Sequence, residues 1–303
     1  MNQQEFFKRY PNLNIDEFDQ SNLKWDDLVD IYNDYQESLD EFNEEAEYLF
    51  RKVINFKKVH SCKFRVKKPE HLIEKIIRKN IKGGELVTKA NYRDKFHDLI
   101  GLRAIHLYKE DWEHINNQIY KKWSSNFIGI PYAYIRKGDS LEFISKFENI
   151  EGKGEVREHQ FGYRSIHYII CITRDNKKYY AELQVRTIFE EGWSEIDHDI
   201  KYPYNLDNPL YGNYLGILNR LAGASDEMAT MLKFIDRDQK GKLEYIEELK
   251  EEISELNETQ VIDQRNIDYL TEENLKLKEK INKTVWNRLK LFILKIIDFF
   301  RRK

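Results

Sequence analysis

FGYRSIHYIICITRDNKKYYAELQVRTIFEEGWSEIDHDIKY, residues 161–202, decides how this chain folds. Tyr163 to Ile172 is dense in β-branched and aromatic residues, the composition of a strand. Asp175-Asn176 supplies turn chemistry, and Tyr179 to Val185 reads as a second strand, so the segment predicts a β-hairpin. Side chains alternate between the two faces of a strand. Leu183 and Val185 therefore point into a core, while Glu182, Gln184 and Arg186 share the opposite face. A carboxylate, an amide and a guanidinium are costly to bury without partners. Either they pair with one another on a wet sheet face, which is common in antiparallel sheets, or something polar binds there. The neighbours tip the reading toward a site. The helix predicted next carries Glu190, Glu191, Glu195, Asp197, His198 and Asp199, and the strand before carries Tyr163, Arg164, Ser165 and His167.

Upstream, HSCKFRVKK at 60–68 is a basic strand or extended arm with Arg65 and Lys67 on one face. Pro69 then opens a helix at its favoured first position. Leu72, Ile73, Ile76 and Ile77 give that helix a core side, and His71, Lys75, Arg78 and Lys82 form a cationic stripe. A solvated basic face would have the same pattern; joined to Arg65 and Lys67 at a helix N-terminus, it becomes a cradle for a triphosphate. A third strand runs from about Leu99 to Tyr108, with Asp98 at its start and Gly101 and Arg103 along it. Asp98 and Glu182 on neighbouring strands would make a pair suited to Mg²⁺, which takes a few carboxylates plus phosphate oxygens.

Charge is distributed in blocks. Residues 1–50 hold 14 acids and 3 bases, residues 51–82 hold 12 bases and 2 acids, and the last 20 residues hold 6 bases and 1 acid, within a formal net charge of −3. That pattern implies an electropositive pocket in an acidic surface rather than a globally basic protein. The two cysteines, Cys62 and Cys171, lack metal-ligand spacing, which fits a reducing cytosol. No signal-peptide run and no apolar stretch long enough to span a bilayer are present, so a cytoplasmic protein is expected.

Four ordered stretches carry a resemblance. KFRVKKPEHLIEKI at 63–76, HDLIGLRAI at 97–105, GYRSIHY with ELQVRT, and EGWSEIDHDIKY resemble the motifs of the RelA/SpoT synthetase domain, the (p)ppGpp alarmone synthetases, over about residues 55–205. The resemblance implies an α+β, nucleotidyltransferase-like mixed sheet flanked by helices. It also implies transfer of pyrophosphate from ATP to the ribose 3′-hydroxyl of GDP or GTP, with release of AMP. Carried over residue by residue, Arg65, Lys67, His71, Lys75 and Arg103 would form the ATP site. Asp98 and Glu182 would bind Mg²⁺ and act catalytically, Glu182 also accepting the hydroxyl proton. Tyr163 would stack on guanine, with His167, Gln184 and Arg186 orienting the acceptor. His71 stands where many relatives have Ser, and Lys153, Arg157 and His159 replace the Pro-Lys that often precedes the Tyr. Those departures keep tRNA open as an acceptor, as in toxin-type members. A catalytically silent nucleotide sensor is the rival from another class. No His-Asp hydrolase motif precedes the core, so synthesis without hydrolysis is expected.

The flanks complete the expected organisation. Residues 1–20 read as a loose lead-in within an acidic helical region 1–56, with one long amphipathic helix from about Asn22 to Phe56. The synthetase domain at 57–205 contains a charged loop at 145–160. A bracing helix covers 206–240, and a heptad pattern at 241–283 places Ile246, Leu249, Ile253, Leu256, Gln260, Asp263, Ile267, Leu270, Asn274, Leu277 and Ile281 at core positions, with Gln260 and Asp263 weakening the centre. It predicts a coiled coil that makes a homo-oligomer, in preference to an amphipathic helix packed back on the domain. Residues 284–303 form a basic amphipathic helix, to lie in a membrane interface or to dock on the protein itself.

Overall fold

The computed structural model describes residues 2–139, 141–150, 154–159, 162–201, 209–258 and 264–301. It divides into two compact units, Met1–Glu227 and Met228–Lys303.

The N-terminus is more ordered than its polarity predicts. Helices α1 (Gln3–Arg9) and α2 (Ile15–Asp19) replace the expected loose lead-in, and the Asn2 and Asn14 side chains cap their first turns. Such caps satisfy amide groups the helix leaves free. Phe6, Phe7 and Phe18 then cluster on Trp25 and are buried. The long helix expected from Asn22 to Phe56 is two helices, α3 (Trp25–Glu37) and α4 (Leu39–Val53). They part at Ser38, whose hydroxyl donates to the Asp34 carbonyl (2.7 Å) and accepts from Arg93 (2.6 Å). A serine bonded back to the preceding turn competes with the helix ladder.

Then come β1 (Ser61–Val66), α5 (Pro69–Ile81), α6 (Tyr92–Lys95), β2 (Ile100–His106), α7 (Asp111–Trp123), β3 (Tyr132–Ile135), α8 (Leu141–Glu148), β4 (Glu155–Glu158), β5 (Ser165–Arg174), β6 (Lys177–Thr187) and α9 (Ile188–Lys201). The loop expected at 145–160 instead holds the end of α8 and all of β4. Phe143 and Phe147 pack on Trp112 at 5.3 and 5.8 Å and give α8 its reason to form. Lys153 lies outside the described residues.

The six strands make one sheet in the order β1-β2-β6-β5-β3-β4. β2–β6 and β3–β4 are parallel and the other pairs antiparallel, so the sheet is mixed as expected. The predicted hairpin is β5–β6, and Asp175 and Asn176 both take positive φ, 49° and 60°. That is the turn geometry whose twist matches two paired strands. Ala181, Leu183, Val185, Leu102, Ala104, Tyr168 and Ile170 are buried on one face, within a core that also takes Phe42, Ala46 and Leu49 of α4 and Ile115 and Ile119 of α7. Everything of the other parity faces the opposite way.

After α9 come α10 (Pro209–Glu258) and α11 (Gln264–Arg301). The expected bracing helix and the first half of the heptad run are one continuous helix, α10. Its first turns are fixed where Trp193 donates to the Leu215 carbonyl (2.9 Å), Asn219 donates to the Gly162 carbonyl (2.9 Å), and Thr187 donates to Asp226 (2.9 Å). In the second unit Arg288 of α11 sits 4.2 Å from the ring centre of Phe234 on α10. The two residues are equidistant from the connection between the helices, so these form an antiparallel hairpin. Ile246, Leu249 and Leu270 are buried in the single chain. The heptad seam is therefore divided between two helices of one chain, and no partner chain is needed to bury those positions. Gln260 and Asp263 lie outside the described residues. Among the described residues no helix is long and apolar enough to cross a membrane.

Candidate active site

Strand register assembles the site. Lys63 of β1 pairs with Arg103 of β2, Arg103 with Gln184 of β6, Gln184 with His167 of β5, His167 with Tyr132 of β3, and Tyr132 with Glu155 of β4. One polar row thus crosses the whole sheet. The row beside it runs Arg65, Gly101, Glu182. Gly101 puts no side chain between Arg65 and Glu182, which leaves the floor open there. Sequence spacing predicted the face of β6; only the strand order could supply its neighbours.

Glu182 is held by neutral donors. Its Oε1 accepts from His167 Nδ1 (3.0 Å) and from the Tyr132 hydroxyl (3.4 Å), and its Oε2 from the Gln184 amide (2.8 Å). Burial pushes its pKa up, but the bond from His167, the charge His167 carries when protonated, and the bond from Gln184 outweigh burial and hold it below the usual carboxylate range. Burial likewise pushes His167 down, against the pull of Glu182. The consistent state is a neutral imidazole donating from Nδ1 to an ionised Glu182. Nε2 is then an acceptor, and the Tyr163 hydroxyl lies 3.3 Å from it. That hydroxyl in turn accepts from Arg186 (2.8 Å). A chain of hydrogen bonds therefore runs from Arg186 through Tyr163 and His167 to Glu182.

Asp98 is held by full charges. Lys67 Nζ lies 2.9 Å and Lys75 Nζ 2.5 Å from its Oδ2. Burial would raise its pKa; the two ammonium groups win and bring it to about 2. Its Oδ1 is buried with no hydrogen-bond partner. Asp98 is also close enough to Glu182 for its charge to push the Glu182 pKa up. Among the described residues no group of three or more His, Cys, Asp or Glu could hold a metal by itself. Two carboxylates, one with an unpartnered buried oxygen, fit Mg²⁺, which keeps several ligand positions for water and phosphate.

The other expected residues fall around these two. Arg103 reaches α9, donating to Glu191 (3.1 Å) and to Glu195. His71, on the first turn of α5, meets the Tyr10 ring edge-on at 6.3 Å, and burial with the Lys68 and Lys67 charges pushes its pKa down. The cationic stripe of α5 divides: Lys75 turns to Asp98, whereas Arg78 pairs with Glu74 at 3.6 Å. Tyr163 stands among Tyr134 (5.6 Å), His159 (5.5 Å) and Trp193 (6.4 Å).

Three features were missed from sequence. Glu191 is a buried hub, with Lys63 (3.3 Å), Arg103 (3.1 Å) and the fully buried Arg186 (3.4 Å) around it. Tyr132 and Tyr134 lie on the same face as His167, and Tyr132 stacks on it at 4.9 Å. Their period-two spacing in YAYI was the available signal. Arg157, expected in a loop, is on β4, where it pairs with Glu155 (2.6 Å) and covers the Tyr132 ring at 4.0 Å.

With this geometry in place, the chain can be set beside known proteins. Residues 64–207 match the family described as a region found in RelA / SpoT proteins. The chain carries a RelA/SpoT region. All eleven residues expected to form the site, from Arg65 to Arg186, lie within this RelA/SpoT region. A curated relative, the GTP pyrophosphokinase YwaC of Bacillus subtilis, is 29% identical over 155 residues, which is 50% of this chain. The chain spans 62% of that relative's length. The crystal structure of small alarmone synthetase 1 from Bacillus subtilis aligns with a TM-score of 0.52 at 18% identity, covering 67% of this chain and 98% of that one. The RelA/SpoT region thus has the fold of a small alarmone synthetase, as the motifs implied.

Proposed function

We propose that the chain is a synthesis-only alarmone synthetase that transfers pyrophosphate from ATP to the 3′-hydroxyl of GDP or GTP. The ribose 3′-oxygen bonds to the β-phosphorus of ATP. The bond from that phosphorus to the oxygen bridging the α-phosphate breaks, AMP leaves, and the hydroxyl proton passes to Glu182. The observation that carries this reading is the ionised Glu182, fixed by three donors on an open polar sheet face beside the partly free Asp98. A carboxylate with a depressed pKa is a weak base, but its position is set before the reaction, and transfer of this kind depends on positioning and charge stabilisation. Arg65, Lys67, Lys75 and Arg103 would hold ATP phosphates and base, with His71 at the margin. Tyr163 and its aromatic neighbours would take the guanine, and Arg186, buried against Glu191, keeps Tyr163 in place. Asp98 and Glu182 would hold a Mg²⁺, which would supply neutralisation of charge on the transferred group. GTP pyrophosphokinase activity named for the YwaC relative supports guanosine nucleotides over tRNA as acceptors. Incubation with labelled ATP and GDP, GTP or deacylated tRNA tests this. Label in the guanosine nucleotide is expected; label in tRNA alone, or in none, overturns it.

The tail is proposed as a contact for an anionic membrane surface. Val285, Phe292 and Ile296 of α11 are half-buried, whereas Trp286, Ile293, Leu294 and Ile297 are exposed on another side, with Lys290 and Arg301 among them. Apolar side chains interleaved with bases suit an interface of acyl chains and acidic headgroups. Sedimentation with anionic and with neutral vesicles tests it; equal recovery in both supernatants rejects it. A homo-oligomer is left with less support, since Ile246, Leu249 and Leu270 are buried within one chain.

A further inference from the structure

The geometry points to Lys67 and Lys75 acting as a latch on Asp98: they keep it from a free divalent cation and release it when a polyphosphate arrives. This rests on the ATP reading above and adds an order of events to it. Both ammonium groups bond the same carboxylate oxygen, Oδ2, at 2.9 and 2.5 Å. Three elements converge there, since Lys67 follows β1, Lys75 is on α5 and Asp98 precedes β2. The cluster carries a net positive charge, and Arg65 adds to it. Lys67 and Lys75 thus bring like charges together on one shared oxygen.

A dication approaching Asp98 meets two ammonium groups. A polyphosphate meets the reverse: it offers each lysine several oxygens in exchange for a shared one. Once the lysines turn to phosphate, Asp98 is left with both oxygens free, and the metal carried by the phosphates can take them. A purely structural ion cluster would use both carboxylate oxygens. Here Oδ1 is buried without a partner, a cost that a site kept ready for a ligand explains. Metal and polyphosphate binding are then coupled, and coupling of this kind is reciprocal.

The test uses the full chain and Mn²⁺ as the metal, with free Mn²⁺ read by electron paramagnetic resonance. Mn²⁺ is titrated against protein alone, protein with inorganic triphosphate, and protein with an ATP analogue bearing a methylene between the α and β phosphorus atoms. The analogue and triphosphate without protein are subtracted. Mn²⁺ binding to protein alone is expected to be at least about tenfold weaker than with either polyphosphate, and calorimetry should show Mn²⁺ tightening the analogue by the same factor. Lys75→Met and Lys67→Met should each bind Mn²⁺ alone more tightly than the wild type and lose most of the polyphosphate effect. Mn²⁺ binding that is equally tight with and without polyphosphate overturns the latch, whatever the variants do, and so do folded methionine variants that bind Mn²⁺ no better than wild type. If calorimetry detects no binding of the analogue at all, the ATP reading itself fails and the latch falls with it.

Discussion

The two half-buried carboxylates of this candidate site are both held ionised, by opposite means. Asp98 is neutralised by whole charges on long side chains, Lys67 and Lys75. Glu182 is surrounded by neutral donors on short, packed ones, His167, Gln184 and Tyr132. Lysine is a compact charge on a flexible stem and can leave; a histidine stacked on a tyrosine in a sheet cannot. The difference assigns Asp98 to the half of the site that exchanges partners and Glu182 to the half that stays put. Substrate that arrives with its own charges suits the first, and a hydroxyl that must be aligned suits the second.

The largest effect should come from Glu182. Glu182→Gln keeps the shape and removes the proposed base, so kcat should fall by at least about 10³ with nucleotide affinity little changed. A rate within tenfold of wild type would reject Glu182 as the base. Asp98→Asn should come next, lowering kcat by roughly 10² to 10³ and weakening the Mg²⁺ dependence of the rate. Unlike Glu182→Gln, it leaves two lysines without their shared anion. Polyphosphate binding without metal should therefore tighten, which equilibrium dialysis would detect.

Tyr163 separates stacking from hydrogen bonding on the static side. Tyr163→Ala removes both the ring and the link between Arg186 and His167, and should raise the KM for the acceptor by on the order of tenfold. Tyr163→Phe keeps the ring and loses the two bonds at 2.8 and 3.3 Å. It should lower kcat more than it raises KM. Identical kinetics for the two variants would mean that the ring matters and the hydrogen-bond chain does not.

Asp98 and Glu182 also set the acid side of the pH response. Both pKa values are depressed in the folded protein, Asp98 to about 2. A depressed carboxylate stabilises the fold above its unfolded pKa, near 4, and the contribution is lost as pH falls through the folded value. Asp98→Asn should thus reduce the dependence of stability on pH between about 4 and 2, measured by thermal melts, and leave it unchanged at pH 6 to 8.

What was legible beforehand follows the range of each interaction. The alternation of Glu182, Leu183, Gln184, Val185 and Arg186 is a local fact, and it gave the hairpin and both its faces. Asp175-Asn176 is local too. The partners of that face are not: Arg103 and Tyr132 reach it through a strand order that no spacing encodes. Glu191 looked like one acid among several on α9 and became a hub only when three bases from β1, β2 and β6 met it. Lys67, Lys75 and Asp98 were each picked as ligand-binding groups, yet their mutual pairing was invisible, because it joins the end of a strand, a helix and a strand entry. At the N-terminus the signals were present in Asn2, Asn14 and a run of Phe, but polar composition masked them. The heptad at 241–283 was real as a pattern and silent about whether its second strand came from another chain.

The smallest predicted change tests how far the fixed half of the site tolerates losing one donor. The Tyr132 hydroxyl lies 3.4 Å from Glu182 Oε1, long for an O–H···O bond, while His167 sits 3.0 Å from the same atom. Tyr132→Phe removes that weak donor and keeps the ring that stacks on His167 at 4.9 Å and lies under Arg157 at 4.0 Å. A donor to the ionised form lowers a carboxylate pKa, so its loss must raise that of Glu182. The acid limb of kcat/KM should move to higher pH by less than about one unit, with kcat at neutral pH within roughly twofold of wild type. Because His167 and Gln184 still hold both oxygens, the base should keep its place. A larger loss at neutral pH would mean that Glu182 depends on Tyr132 for its position, and that the acceptor half of the site is less rigid than its packing implies.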